Sequence, residues 1–232
     1  MRKRALLVVV TSLAVTVQAS GESRTYRDTD LRYSLALPEG WEQIPNDVVE
    51  ATVTQTAQLA NMPVQKYAAG FQRTSGTWFS YPYVLIHHQS VNSATFSQLS
   101  RLMRDLGSGE KDLVPGDQDV ISEAGIGAPV TDPGRGIVMV PFNMNVADVG
   151  PVRGLMVLKP GKLGIAQLNF YAPEEKFEAY GADLDVFLES LRFDEGYEYS
   201  GVGAVARGLD LDRILEKGLV GALTFARWAT PT

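Results

Sequence analysis

Residues 152–171 read VRGLMVLKPGKLGIAQLNFY, and this stretch decides the fold. Two apolar runs, Val152–Leu158 and Leu163–Tyr171, flank Pro160-Gly161, which stands between Lys159 and Lys162. Proline presets φ for a turn and glycine accepts the conformations that close one. The spacing therefore predicts an antiparallel hairpin. A parallel pair would need a crossover of a dozen or more residues.

Working outward, residues 137–146 read as a further strand, and Asp132-Pro133-Gly134 as the turn before it. Residues 120–130 hold a short strand. Downstream of Pro173 the apolar period changes: Phe177, Tyr180, Leu184, Phe187, Leu188 and Leu191 mark a helix. Gly181 can split it, with Asp183 as a fresh cap. Upstream, residues 31–37 (LRYSLAL) alternate, with Leu31, Tyr33, Leu35 and Leu37 on one side. Pro38-Glu39-Gly40 ends that strand, and Trp41 and Ile44 follow.

Residues 46–61 are expected to be helical, capped by Asn46 or Asp47, with Val49, Val53, Ala57 and Ala60 on one face. Their Val and Thr content argues for strand, since β-branched side chains lose rotamer freedom in a helix. Residues 65–73 and 83–89 read as strands, residues 95–106 as an amphipathic helix and residues 107–119 as a polar loop. Hairpins dominate and no regular βαβ alternation appears. The expectation is α+β, a mostly antiparallel sheet flanked by helices, over residues 25–195.

The chain has 232 residues and no cysteine, which excludes thiol chemistry, disulfide frameworks and iron–sulfur clusters. Residues 1–19 look like a secretory signal peptide: Arg2, Lys3 and Arg4, then an apolar run to Val17, then Val17-Gln18-Ala19 as a cleavage site. The run is short for a membrane span, which needs about 20 residues. Without residues 1–19 the chain keeps 18 basic and 27 acidic residues, net −9. An acidic exported chain with no cluster of cations is a poor partner for nucleic acid. Residues 196–232 differ in character. Gly201, Gly203 and Gly208 make a linker, and Leu215, Leu219, Val220 and Leu223 fall at helical spacing. That helix is a candidate for membrane-peripheral or partner attachment, or for packing on its own domain.

The segment Tyr33-Ser34-Leu35 running into Leu37-Pro38-Glu39-Gly40-Trp41, the closing hairpin, and the late Leu188-Glu189-Ser190-Leu191-Arg192-Phe193 together resemble the PsbP/Mog1/DcrB-like group. The resemblance covers about residues 25–195. It implies an α/β/α sandwich in a group rich in exported, non-enzymatic accessory proteins, and it brings no shared catalytic motif. The tail departs from a minimal domain of that kind.

A search for chemistry is mostly negative. His87 and His88 are the only histidines, and neighbours on a strand point to opposite faces, so they are ill placed to share a metal. No GxSxG elbow or phosphate loop is present; Gly107-Ser108-Gly109 reads as a turn and Gly161-Lys162 as the hairpin turn. Gly201–Ala206 fits GxGxx[G/A] but follows no hydrophobic strand, so it reads as a linker. Glu110, Asp112, Asp117 and Asp119 lack calcium-loop spacing, and Glu174 and Glu175 suit a helix start. No catalytic residue, cofactor or metal is expected.

Trp78, Phe79 and Tyr81 stand out, together with Tyr83, between Gly76 and Pro82. Aromatic side chains dominate interface hot spots, so Trp78, Phe79 and Tyr81 are the partner-binding candidates. The competing role is to fold back over the sheet. The expected function is an exported, non-catalytic binding or accessory protein of the cell envelope, with an envelope protein as partner. The alternatives are an envelope small-molecule binder, or an enzyme using carboxylates or His87 and His88, and a membrane-peripheral protein held by its tail.

Overall fold

The computed structural model describes residues 24–59, 64–89, 111, 112, 121–146 and 149–199. The sequence expectations for the leader, for the helix over 95–106, for most of the 107–119 loop and for the tail with Leu215, Leu219, Val220 and Leu223 lie outside these residues.

The elements in chain order are β1 (Thr25–Asp28), β2 (Tyr33–Ala36), β3 (Trp41–Ile44), α1 (Asn46–Leu59), β4 (Tyr67–Arg73) and β5 (Tyr83–Gln89). Then come β6 (Lys111–Asp112), β7 (Ile121–Ile126), β8 (Val130–Asp132), β9 (Ile137–Val146), β10 (Gly150–Pro160) and β11 (Ile165–Pro173). A 3-10 helix (Glu174–Tyr180), α2 (Gly181–Ser190) and β12 (Arg192–Phe193) follow. Among the described residues nine strands form one sheet, ordered β3-β4-β5-β11-β10-β9-β7-β6, with β8 also on β9. Strands β1, β2 and β12 form a second sheet, ordered β1-β2-β12. Every described pairing is antiparallel. The expected hairpin is β10–β11, running in register from Val152↔Pro173 to Pro160↔Ile165.

The large sheet separates two cores. On one face Val49 and Val53 of α1 meet Ile44, Tyr83 and Leu85, and the same face continues through Phe142, Met156 and Ile165. On the other face Phe187 and Leu188 of α2 and Phe177 of the 3-10 helix join Trp41, Phe71, Phe170 and the small-sheet residues Tyr33, Leu35 and Phe193. This is the α+β arrangement expected, with helices on both faces. Strand β11 is buried on both sides along Ile165–Ala172, which explains its nearly unbroken apolar run. The alternation of residues 31–37 is also as read: Tyr33 and Leu35 are buried, Ser34 and Ala36 half-buried.

The β-branched content of α1 does not prevent a helix, because tertiary burial of Val49, Val53 and Ala57 outweighs propensity. The helix sits so close to β4 that a Cβ added at Gly70 would lie 3.1 Å from Val49 Cγ2. Three expectations are corrected. The 107–119 loop contains the short strand β6, whose pairing with Gly125 and Ile126 carries no alternation a sequence could show. The split at Gly181 is real, but its first half is a 3-10 helix and Asp183 is not the cap. The cap position is Tyr180, without a side-chain cap bond, and the Asp183 carboxylate instead accepts from Trp41 Nε1 at 3.0 Å. Finally β1, β3 and β12 are strands the sequence reading lacked. Each is two to four residues long, too short to show a period.

Candidate functional site

Strands β4 and β5 are joined by residues 74–82, which carry the aromatic candidates. Gln72, next to last in β4, is fully buried, and a buried carboxamide must find hydrogen-bond partners. It finds them in the loop: Gln72 Nε2 donates to Thr77 O at 2.6 Å, and Phe79 N donates to Gln72 Oε1 at 2.6 Å. Ser75 Oγ donates to Thr77 O at 2.9 Å, and the Thr77 and Ser80 hydroxyls are 2.7 Å apart. The Tyr81–Pro82 peptide is cis.

This bracing places the three aromatics differently. Phe79 has a left-handed backbone, φ 61°, and sends its ring inward, edge-on to Tyr83 at 5.8 Å. At 3 % exposure it is a core residue, which corrects its candidacy as a contact. Tyr81 is half-buried and stacks on Tyr83 at 5.2 Å; Tyr83 in turn stacks on Tyr171 at 4.8 Å. Trp78 alone of the three faces solvent, at 42 % exposure. A non-glycine residue held at positive φ is strain that the surrounding contacts must sustain, and Phe79 has them in Gln72 and Tyr83.

His87 and His88 point to opposite faces, as read. His87 Nδ1 lies 2.7 Å from Lys66 O, so it donates there. His88 enters a cluster that the sequence did not announce. Its Nε2 lies 3.3 Å from Asp28 Oδ2 and 3.1 Å from the Tyr33 hydroxyl oxygen. Tyr26 OH donates to the same Asp28 oxygen at 3.2 Å, and Leu31 N donates to Asp28 Oδ1 at 2.7 Å. Burial pushes His88 below the usual histidine range; Asp28 and Asp30 pull the other way, and Lys66 adds to the lowering. Burial also pushes the Tyr26 and Tyr33 phenols upward, with Asp28 adding to both. The cluster can hold or pass a proton.

Asp28 lies 60 residues from His88 in sequence, on a strand too short to read, so only Tyr33 of this group carried an inward signal. Glu174 and Glu175 open the 3-10 helix, where acids suit the positive end of the peptide dipoles. Among the described residues no group of three or more His, Cys, Asp or Glu is placed to hold a metal ion, and no helix is long and apolar enough to cross a membrane.

Similar solved structures exist. The cyanobacterial PsbP protein of Synechocystis sp. PCC 6803 aligns with 80 % of this chain and 99 % of its own, at 11 % identity and a TM-score of 0.40. LpqN, involved in cell envelope biogenesis of Mycobacterium tuberculosis, aligns with 75 % of this chain and 86 % of its own, at 12 % identity and a TM-score of 0.35. No protein-family model and no curated protein matches the sequence. A PsbP protein, from the group that the Trp41 turn and the Ser190 helix end resemble, is thus among the similar structures.

Proposed function

We propose that this chain is an exported binding domain of the cell envelope that acts by contact with a partner protein, not by catalysis. The observation that carries the reading is Trp78, an exposed tryptophan on a loop already fixed by Gln72 and Phe79. A rigid aromatic anchor loses little entropy on binding, which is what a hot spot needs. The leader-like residues 1–19 and the acidic balance support export and argue against nucleic acid. The tail residues Leu215, Leu219, Val220 and Leu223 supply a second, peripheral contact in this reading.

The test is chemical crosslinking of the wild-type chain in envelope fractions, with unlabelled wild-type chain and Trp78→Ala as competitors. A discrete adduct that wild-type chain displaces and Trp78→Ala does not supports the reading. Equal displacement by both chains sinks it.

A second reading, an envelope enzyme or small-molecule binder, is favoured by one observation: His88 is held below its ordinary range beside the Asp28 carboxylate. A small-molecule turnover lost in His88→Gln and kept in Trp78→Ala selects it over the first.

A further inference from the structure

Strand β11 pairs with β5 in the register Tyr171↔Tyr83, Asn169↔Leu85, Gln167↔His87 and Ile165↔Gln89. Tyr171 and Ile165 belong to the core on the α1 side of the large sheet, and alternate residues of a strand share a face. Gln167 and Asn169 therefore point into that same core, and both are fully buried. With Gln89 they form a relay of carboxamides. Gln89 Nε2 donates to Gln167 Oε1, and Gln167 Nε2 donates to Asn169 Oδ1 at 2.9 Å. The relay stops there. Asn169 Nδ2 is buried without a hydrogen-bond partner in the protein, and so are the hydroxyls of Tyr83 and Tyr171, whose rings stack at 4.8 Å.

We propose that Asn169, Tyr83 and Tyr171 build an internal water site on the α1 side of the large sheet, whose bound water completes the carboxamide relay.

The chemistry of the three groups selects the guest. Asn169 Nδ2 can only donate, so the guest must bring an acceptor; a phenol hydroxyl donates or accepts. Leu85 and Met156 flank Asn169 in the ladder, both buried and apolar, and none of the three carboxamides carries a charge. A neutral guest suits that setting, because a charge there would need a partner of opposite sign. Asn169, Tyr83 and Tyr171 are each 0 % exposed, which favours the smallest neutral guest. An internal water makes about three hydrogen bonds, and three groups stand ready. Asn169 and Tyr171 are two residues apart, about 7 Å along the strand, a gap that one water or a linked pair spans.

The hydrated relay also bears on register. A slip of β11 by one residue would turn Gln167 and Asn169 to the opposite face and break the relay.

The test has two parts. The first measures magnetisation transfer from water to the Asn169 side-chain amide in the isotope-labelled full chain, in both the laboratory and the rotating frame. Transfer of opposite sign in the two frames is expected, the mark of a water that tumbles with the protein. Transfer of equal sign, or none, overturns the proposal. The second compares urea midpoints of wild type, Tyr83→Phe and Tyr171→Phe. A buried hydroxyl bonded to water loses a hydrogen bond when it is deleted, whereas deleting an unpaired one removes a penalty. Both variants should therefore unfold at lower urea than wild type, with unchanged m-value. A midpoint equal to or above that of wild type in either variant overturns the site. The first part needs no variant and stands even where a substitution prevents folding.

Discussion

Trp41 and Asp183, 142 residues apart, are joined by an indole N–H that donates to a carboxylate oxygen at 3.0 Å. The contact locks the turn after β2 to the first turn of α2. The same two regions meet twice more. Ala36 N donates to Ser190 Oγ at 2.9 Å, and that hydroxyl donates to Val186 O at 2.5 Å. Phe193 of β12 pairs with Tyr33 of β2. The early Leu37–Trp41 turn and the late Ser190–Phe193 segment, which stand at opposite ends of the domain, therefore close on one another. Trp41 also packs edge-on against Phe187 at 4.9 Å, so one residue supplies both apolar and polar closure.

Trp41→Phe keeps most of the packing but leaves Asp183 without the indole donor. The expected loss is about 1–3 kcal/mol, typical for a hydrogen bond to a charged group in a partly buried place. Trp41→Ala adds a cavity and should cost about 3–5 kcal/mol. Urea unfolding midpoints at constant m-value decide this. Equal midpoints for wild type and Trp41→Phe would show the bond to be energetically idle.

The neighbours Trp78 and Phe79 should separate function from stability. Phe79→Ala empties a core position and should destabilise by about 3–5 kcal/mol. Trp78→Ala should change stability by no more than about 0.5 kcal/mol, as exposed substitutions do. Thermal melts of the two variants measure the contrast. A melt of Trp78→Ala as low as that of Phe79→Ala would mean that the tryptophan, too, serves the core.

Gly154 of β10 faces Phe142 of β9 across the ladder, and a Cβ added there would lie 2.0 Å from the ring. Gly154→Ala should cost about 1–3 kcal/mol through overpacking. Phe142→Leu, which shortens the facing side chain, should recover part of that loss in the double variant. A double-mutant cycle with zero coupling would rule out ring contact as the cause.

Six tyrosines, Tyr26, Tyr33, Tyr67, Tyr81, Tyr83 and Tyr171, are all pushed upward from the ordinary phenol value, burial being the leading cause. A phenol whose folded value is raised stabilises the fold fully below its unfolded value. That stability is lost as pH rises through 10 toward the folded value. Tyrosinate absorbance from these six should therefore appear together with loss of far-ultraviolet circular dichroism, above pH 10. Ionisation of all nine tyrosines with the fold intact would contradict the burial argument.

Much of the scaffold was legible because its signals are local. Alternation at Tyr33 and Leu35, the Pro160-Gly161 turn and the spacing of Phe187, Leu188 and Leu191 each follow from period and turn chemistry within a few residues. The aromatic loop was legible as a cluster, but not its orientation. Whether Phe79 or Trp78 turns inward depends on Gln72, whose carboxamide fixes the loop from the end of β4. The partners of His88 were not legible at all, since β1 and β2 reach β5 only through tertiary docking.

By itself the sequence determined the β10–β11 hairpin, the helices α1 and α2, the absence of cysteine chemistry and the acidic charge balance. These depend on composition and on neighbours along the chain. Tertiary structure alone decided that β5 and β11 pair, that Asp183 serves Trp41 instead of capping its helix, and that His88 faces Asp28 and Tyr33. Those contacts depend on strand order and sheet docking, which bring together residues whose separation in sequence carries no periodic signal.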